Sequence, residues 1–238
     1  MDRALGEEAR QVLRAARGWL EELAEEGVTS FEIAAAKPAA KPPSSGAPET
    51  AQTGTTLEAV RAELGDCTRC GLAEGRTKLV FGDGNPNADL MFVGEGPGEQ
   101  EDLSGLPFVG RAGELLTRMI ERGIALPRSE VYICNIVKCR PPGNRTPLAT
   151  EVSTCRHFLD GQIEAVQPKV IVTLGKPASS LLLGRDIAIT RVRGTWHEYK
   201  GIPVMPTFHP AFILRQYTEQ NRRLVWEDLK AAAARAQQ

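Results

Sequence analysis

The sequence predicts an α/β protein: a three-layer αβα sandwich with a central, mainly parallel four-stranded sheet, preceded by an N-terminal helix and a flexible linker. Two observations carry this expectation. Short, continuously apolar runs recur between residues 88 and 207, and helix-patterned stretches separate them. A strand covered by helices on both faces reads as an unbroken apolar run because neither face meets water, and alternation with helices selects parallel crossovers.

The elements follow in chain order. Over residues 2–26, Leu5, Ala9, Val12, Leu13, Ala16, Leu20 and Leu23 recur at three- and four-residue intervals behind a capping Asp2, the pattern of an amphipathic helix. Residues 1–33 form this helical appendage, and its apolar stripe suits docking to a protein partner. Residues 34–56 turn to Ala, Pro, Lys, Ser, Gly and Thr, offer too little apolar surface to order themselves, and read as the linker. Thr56 then caps a short helix, Leu57 to Leu64, which opens the main domain, residues 57–238. Four strands are expected, over residues 88–94, 131–137, 170–175 and 202–207, the last weakened by its prolines. Helices are expected over 112–122, 147–166 and 177–183, with 190–200 a candidate for one further edge strand.

With 238 residues, 42% hydrophobic, the chain can bury one sizeable core; its formal charge of −1 argues against coating nucleic acid by electrostatics. That charge is unevenly spread. Residues 1–66 hold 7 Lys/Arg against 12 Asp/Glu and the remainder 22 against 18, so the main domain is mildly basic and suited to transient contact with a polyanion. The sequence opens without a basic-then-apolar leader, and no apolar run reaches membrane-spanning length. We therefore expect a monomeric cytoplasmic protein with no membrane partner.

In such a compartment the cysteines carry weight. Cys67-x2-Cys70, Cys139 and Cys155 bring four thiols from distant segments, a set that suits zinc or an iron–sulfur cluster better than two disulfides. Cys134 lies inside the second strand, reads as a small buried hydrophobe, and stays outside the set.

In an open parallel sheet, ligands bind beyond the carboxyl ends of the strands. Three candidate segments fall there. The first is the turn Gly94-Glu95-Gly96-Pro97-Gly98, with a carboxylate among exposed backbone N–H groups; it lacks the ending of a P-loop and the spacing of a dinucleotide fingerprint. The second holds Asn135, a polar amide in an apolar strand that must find a partner, followed by residues 139–147. The third is His209-Pro210-Ala211, where proline at a first helical position places the imidazole at a helix N-terminus and disfavours its protonation. Phe108, in a Gly/Pro-rich loop, is either core packing or a face for a planar base.

Taken together these segments resemble the family 4 uracil-DNA glycosylases, within the wider uracil-DNA glycosylase superfamily. The resemblance covers residues 57 to about 235 and rests on Cys67-x2-Cys70, Gly94 to Asp102, Pro107-Phe108-Val109-Gly110, Cys139-Arg140-Pro141-Pro142-x-Asn144-Arg145, Cys155 and His209-Pro210-Ala211 in that order. It implies excision of uracil from single- or double-stranded DNA, with a 4Fe-4S cluster on Cys67, Cys70, Cys139 and Cys155; zinc is the runner-up for the same four thiolates. It further implies that Glu95, Gly96, Pro97, Phe108, Asn135 and His209 bind the base. Glu95, His209, Glu101 and Asn144 match positions tied to activity, and Arg140, Arg145 and Arg215 are candidates for phosphate contact. The turn has Gly96 where many members carry alanine, and the appendage lies outside the match. No Lys-Arg-Arg-Ile-His insertion, which traps the sugar covalently in a close relative, interrupts residues 139–145, so turnover is expected. The competing expectation is a non-catalytic iron–sulfur module that binds DNA or accompanies a polymerase; Glu95, Asn135 and His209 argue against it.

Overall fold

The computed structural model describes residues 55–238. The expected N-terminal helix, and the linker up to residue 54, lie outside the described residues. Thr56 caps α1 (Leu57–Leu64) by accepting the Ala59 N–H at 3.1 Å, as the sequence suggests.

Six strands form one sheet: β1 (Asp83–Gly84), β2 (Leu90–Gly94), β3 (Tyr132–Asn135), β4 (Val170–Leu174), β5 (His197–Tyr199) and β6 (Ile202–Thr207), in the order β1-β3-β2-β4-β6-β5. The four expected strands are its parallel centre. The expectation of four is corrected by two antiparallel edges. One, β5, is the anticipated edge strand, shortened because residues 189–192 are helical. The other, β1, is two exposed residues long and has no apolar run to announce it.

Side chains alternate across the sheet and build two cores. Met91, Val93, Tyr132, Cys134, Ile171 and Val204 pack beneath α1, α2 (Leu72–Gly75), the long α5 (Ala149–Val166) and α6 (Lys176–Leu183). Leu90, Phe92, Ile133, Val172 and Met205 face the other way, onto α4 (Arg111–Arg118), α8 (Pro210–Arg215) and α9 (Glu219–Ala236). At about 1.5–3 kcal/mol per buried large apolar side chain, this two-sided burial is what makes the central strands read as unbroken apolar runs.

Four helices escape the sequence pattern: α2, α3 (Glu99–Ser104), the short α7 (Ile189–Val192) and α9. The buried stripe of α9 is Val225, Leu229, Ala232, Ala233 and Ala236, small residues that give weak periodicity. Asp228 on the same stripe is buried; it accepts from Thr207 Oγ1 at 2.6 Å and from the Arg193 guanidinium, fixing the carboxyl end of β6 that leads to His209. No described helix is long and apolar enough to cross a membrane.

Candidate active site

A cavity of about 520 Å³ opens at the carboxyl ends of the parallel strands, and Glu95, Gly96, Pro97, Phe108, Asn135 and His209 all line it. The parallel register makes this convergence. Gly94 pairs with Asn135 at the ends of β2 and β3, while β6 delivers Phe208-His209 into α8 beside them.

Asn135 is 1% exposed, and its Oδ1 accepts no hydrogen bond among the described residues. An orphaned buried acceptor costs about 1–3 kcal/mol, so its vacancy marks a place held for a donor from outside the chain. Opposite it, a Cβ on Gly94 would stand 2.4 Å from that oxygen and 2.5 Å from the Phe108 ring. Only glycine lets the amide and the ring share one wall.

Phe108 adopts φ +53°, a left-handed conformation that costs an aromatic residue about 1–3 kcal/mol and persists only where neighbours over-determine it. Glu101 supplies much of that constraint. At the third position of α3, its carboxylate accepts from Val109 and Gly110 N–H at 2.8 Å each, and reaches back to Gly98 N–H at 3.1 Å. Beneath the loop, a Cβ on Gly113 would fall 1.9 Å from the Phe108 carbonyl carbon. Expected among the catalytic groups, Glu101 has its oxygens committed to the loop that presents Phe108.

His209 caps α8: its Nδ1 accepts the Ala211 N–H at 3.1 Å. That bond leaves the neutral ring with its proton on Nε2, a donor available to the cavity. Burial, reinforced by the nearby Arg215 charge and only opposed by Glu101, lowers its pKa to about 4. Its ring lies 5.7 Å from that of Phe108, tilted by 34°. Burial pushes the Glu95 carboxyl up, and a hydrogen bond from Thr146 pulls partly against it.

The arginines separate into different roles. Arg145 gives both terminal nitrogens to Glu151, at 2.6 and 2.9 Å, and Glu151 caps α5 through Leu148 N–H at 2.7 Å. Expected as a phosphate contact, it braces that helix and also lines the cavity rim. Arg140 donates to Asn144 Oδ1 at 2.8 Å and so shapes the rim turn, in which Asn144 has φ +56°. Arg215 is exposed at the end of α8 on the cavity wall and makes no ion pair among the described residues.

The four expected cysteines meet on the α1/α5 side of the sheet: Cys139 and Cys155 lie in the core there, and Cys67 and Cys70 pack against it. Arg69 donates to Cys67 Sγ at 3.2 Å and Arg76 to Cys139 Sγ at 3.3 Å. Burial raises the Cys139 and Cys155 thiols, opposed by Arg76 at the first and Lys138 at the second. Among the described residues, no three His, Cys, Asp or Glu side chains are gathered closely enough for a single metal ion. Cys134 is core, as expected.

The sequence reading passed over Arg76, Lys138 and Gln162, and gave no role of their own to Gly94, Asp102 and Thr146 inside the segments it singled out. Asp102 is buried in α3 and accepts from Thr77 N–H at 2.9 Å, so the chain leaving the thiol site is pinned to the helix that holds the Phe108 loop. The available signal was a lone charge beside each recognised motif: Lys138 before Cys139, Asp102 after Glu101.

A strand-end cavity lined by a buried amide, a half-buried imidazole and a carboxylate is the candidate site of this α/β sheet. The model of the uracil DNA glycosylase superfamily matches residues 81–230. The chain is 49% identical over 178 residues to a type-4 uracil-DNA glycosylase of Thermotoga maritima, covering 74% of this chain and 92% of that one. It is 45% identical over 183 residues to that of Sulfurisphaera tokodaii (74% and 82% covered) and 42% over 183 to that of Archaeoglobus fulgidus (74% and 90%). The chain belongs to the uracil-DNA glycosylase superfamily and, within it, to the type-4 uracil-DNA glycosylases.

Proposed function

We propose that this uracil-DNA glycosylase divides the excision of uracil from DNA among the residues of the strand-end cavity, and that Asn135 is the group that recognises the base. The vacant Oδ1 of Asn135 is the observation that carries this assignment. Uracil inside a duplex is out of reach, so the nucleotide is flipped into the cavity at a cost of a few kcal/mol of unstacking. Oδ1 then accepts from uracil N3–H while the amide nitrogen donates to O4. Cytosine offers an acceptor and a donor in the opposite places and leaves both partners buried and unpaired. Phe108, held by Glu101, stacks on the ring.

Water supplies the oxygen that bonds to C1′ and gives its proton to Glu95, whose raised pKa suits it to accept one. As the C1′–N1 bond breaks, its electron pair leaves with uracil and charge collects on O2. His209 Nε2–H donates to that oxygen, with the backbone N–H groups of the Glu95-Gly96 turn beside it; a donor already in place loses nothing to reorganisation. The Glu95 carboxylate also favours the positive charge that develops on the sugar. Products are uracil and an abasic site. Asn144 and Arg140 set the rim, and Arg215 meets the phosphate backbone.

Cys67, Cys70, Cys139 and Cys155 would hold a 4Fe-4S cluster. Two of the sulfurs face guanidinium donors, the surroundings of an anionic thiolate rather than of a neutral thiol. Four thiolates serve either metal, but the 68 residues between Cys70 and Cys139 are unlike a compact zinc ribbon, which favours the cluster. Bound there, a cluster would tie the segments that carry Cys67, Cys70, Cys139 and Cys155 together, a structural role, since the hydrolysis needs no electron transfer. Residues 57–238 form the catalytic domain, acting as a cytoplasmic monomer, and residues 1–33 on the 34–56 linker tether it to a protein partner.

Incubating the purified protein with uracil-containing single- and double-stranded oligonucleotides and treating with alkali tests the reading. Cleavage at uracil is expected; intact DNA from brown, iron-loaded protein would overturn it. Colourless active protein carrying zinc would overturn the cofactor assignment alone.

A further inference from the structure

Phe108 lines the strand-end cavity with its backbone at φ +53°, a conformation that has to be held from outside. Peptide units are planar, so both torsions at Phe108 are fixed once the unit before its Cα and the unit after it are each pinned. Glu101 pins the second, through Val109 N–H at 2.8 Å. The first carries the Pro107 carbonyl, and Arg128 pins it: Nη2 donates to that oxygen at 2.7 Å.

The pairing has a local cause. Pro107 is buried and, as a proline, has no N–H, so its carbonyl is its sole backbone hydrogen-bonding group and needs a partner. The same guanidinium gives Nη1 to Thr117 Oγ1 at 3.1 Å, on α4, the helix whose Gly113 leaves room for the Phe108 carbonyl. A planar fork can bridge loop and helix at once, which an ammonium cannot do in the same geometry. Burial lowers the pKa of the half-buried Arg128, opposed by the charges of Asp83, Glu121 and Glu101, so the two groups that grip the loop also attract each other. Arg128 opens the 3-10 turn Arg128–Glu130, which leads through Val131 into β3, and β3 ends on Asn135. One stretch of chain begins at the anchor of the ring and ends at the amide.

We propose that Arg128 is a positioning residue for uracil recognition: by holding the Pro107 carbonyl it completes the clamp on Phe108, and it ties the plane on which the base stacks to the strand whose end reads the edge of the base. The proposal rests on the assignments of Phe108 and Asn135 made above. Arg128 itself does not line the cavity and acts through the ring.

A double-mutant cycle in the iron-loaded full chain tests this, read as inhibition of excision by free uracil. Arg128→Met removes both donors and keeps an unbranched side chain. It is expected to weaken uracil inhibition about ten-fold in the wild-type background, the scale of one hydrogen bond from a charged group. In a Phe108→Leu background, with no ring left to position, it is expected to change inhibition by less than about two-fold. Arg128→Lys, which offers a cation without the fork, is expected to recover part of the affinity. A merely structural residue would weaken both backgrounds alike, so equal losses overturn the proposal, as does folded Arg128→Met with inhibition unchanged. Failure of both Arg128 variants to fold places the residue in folding alone and overturns it too. Unchanged inhibition in Phe108→Leu alone sinks the stacking assignment and the proposal with it. A wild-type protein that releases no uracil sinks the enzymatic reading instead, an outcome visible before any variant is made.

Discussion

Two amides lie buried on either side of Lys138 and are served in opposite ways. Gln162 uses everything it has: Oε1 accepts from Lys138, and Nε2 donates to Phe81 and Tyr132. Asn135 is buried almost as completely, yet its Oδ1 has no partner among the described residues, with Gly94 cleared away in front of it. A satisfied amide rigidifies a core; an unsatisfied one is a debt that only a ligand can discharge. The contrast separates the scaffold from the site without reference to any relative, and it orders what substitutions should do.

The largest effect belongs to the vacant amide. Asn135→Leu should lower kcat/KM for uracil excision on the order of 10³-fold, while the melting temperature holds or rises because an unpaired polar group has been removed. Single-turnover excision beside thermal melting reads both. Next stands His209→Ala, which removes one donor to the leaving base and should cost about 10²–10³-fold in kcat. Because the folded pKa of His209 is about 4 against an ordinary 6.5, the unfolded chain takes up more protons between those values. Its share of stability is complete above 6.5 and disappears as pH falls through 4. Urea titrations at pH 7 and 4.5 should therefore show a larger loss for wild type than for His209→Gln.

The satisfied amide should behave the other way. Gln162→Leu strands Lys138, Tyr132 and the Phe81 carbonyl, and should destabilise the fold by about 3 kcal/mol in urea melts. Whatever remains folded and iron-loaded should still distinguish uracil from cytosine. Smallest is the pair of rim arginines. Arg215→Ala should reduce the dependence of log Kd for DNA on log salt by about one, whereas Arg145→Ala should leave that slope alone and loosen α5.

Much of this was legible in the sequence, and the gaps have physical causes. The four central strands were visible because burial on both faces demands unbroken apolar runs; β1 was not, because two exposed residues carry no pattern. The six positions expected to bind the base all line one cavity, and some were legible because they depart from the local pattern, as an amide in an apolar strand or a histidine before proline. Glu101 and Arg145 were recognised as important, but their hydrogen-bond partners were not legible, since a side chain turned to solvent and one folded back onto its own loop read alike in sequence. Lys138 and Gln162 were overlooked because a lysine and a glutamine are mostly exposed residues, and their burial depends on contacts from segments 24 residues apart.

By itself the sequence determined the fold class and pointed to the four cysteines and to the residues that line the strand-end cavity, because hydrophobic period, cysteine spacing and glycine or proline placement are local properties. Only the tertiary structure decided which of those groups is vacant and which is spent. Satisfaction is a property of pairs: the orphan oxygen of Asn135, the committed carboxylate of Glu101 and the buried ammonium of Lys138 exist only once β3, α3 and α5 have brought their partners, or the lack of one, to within 3 Å.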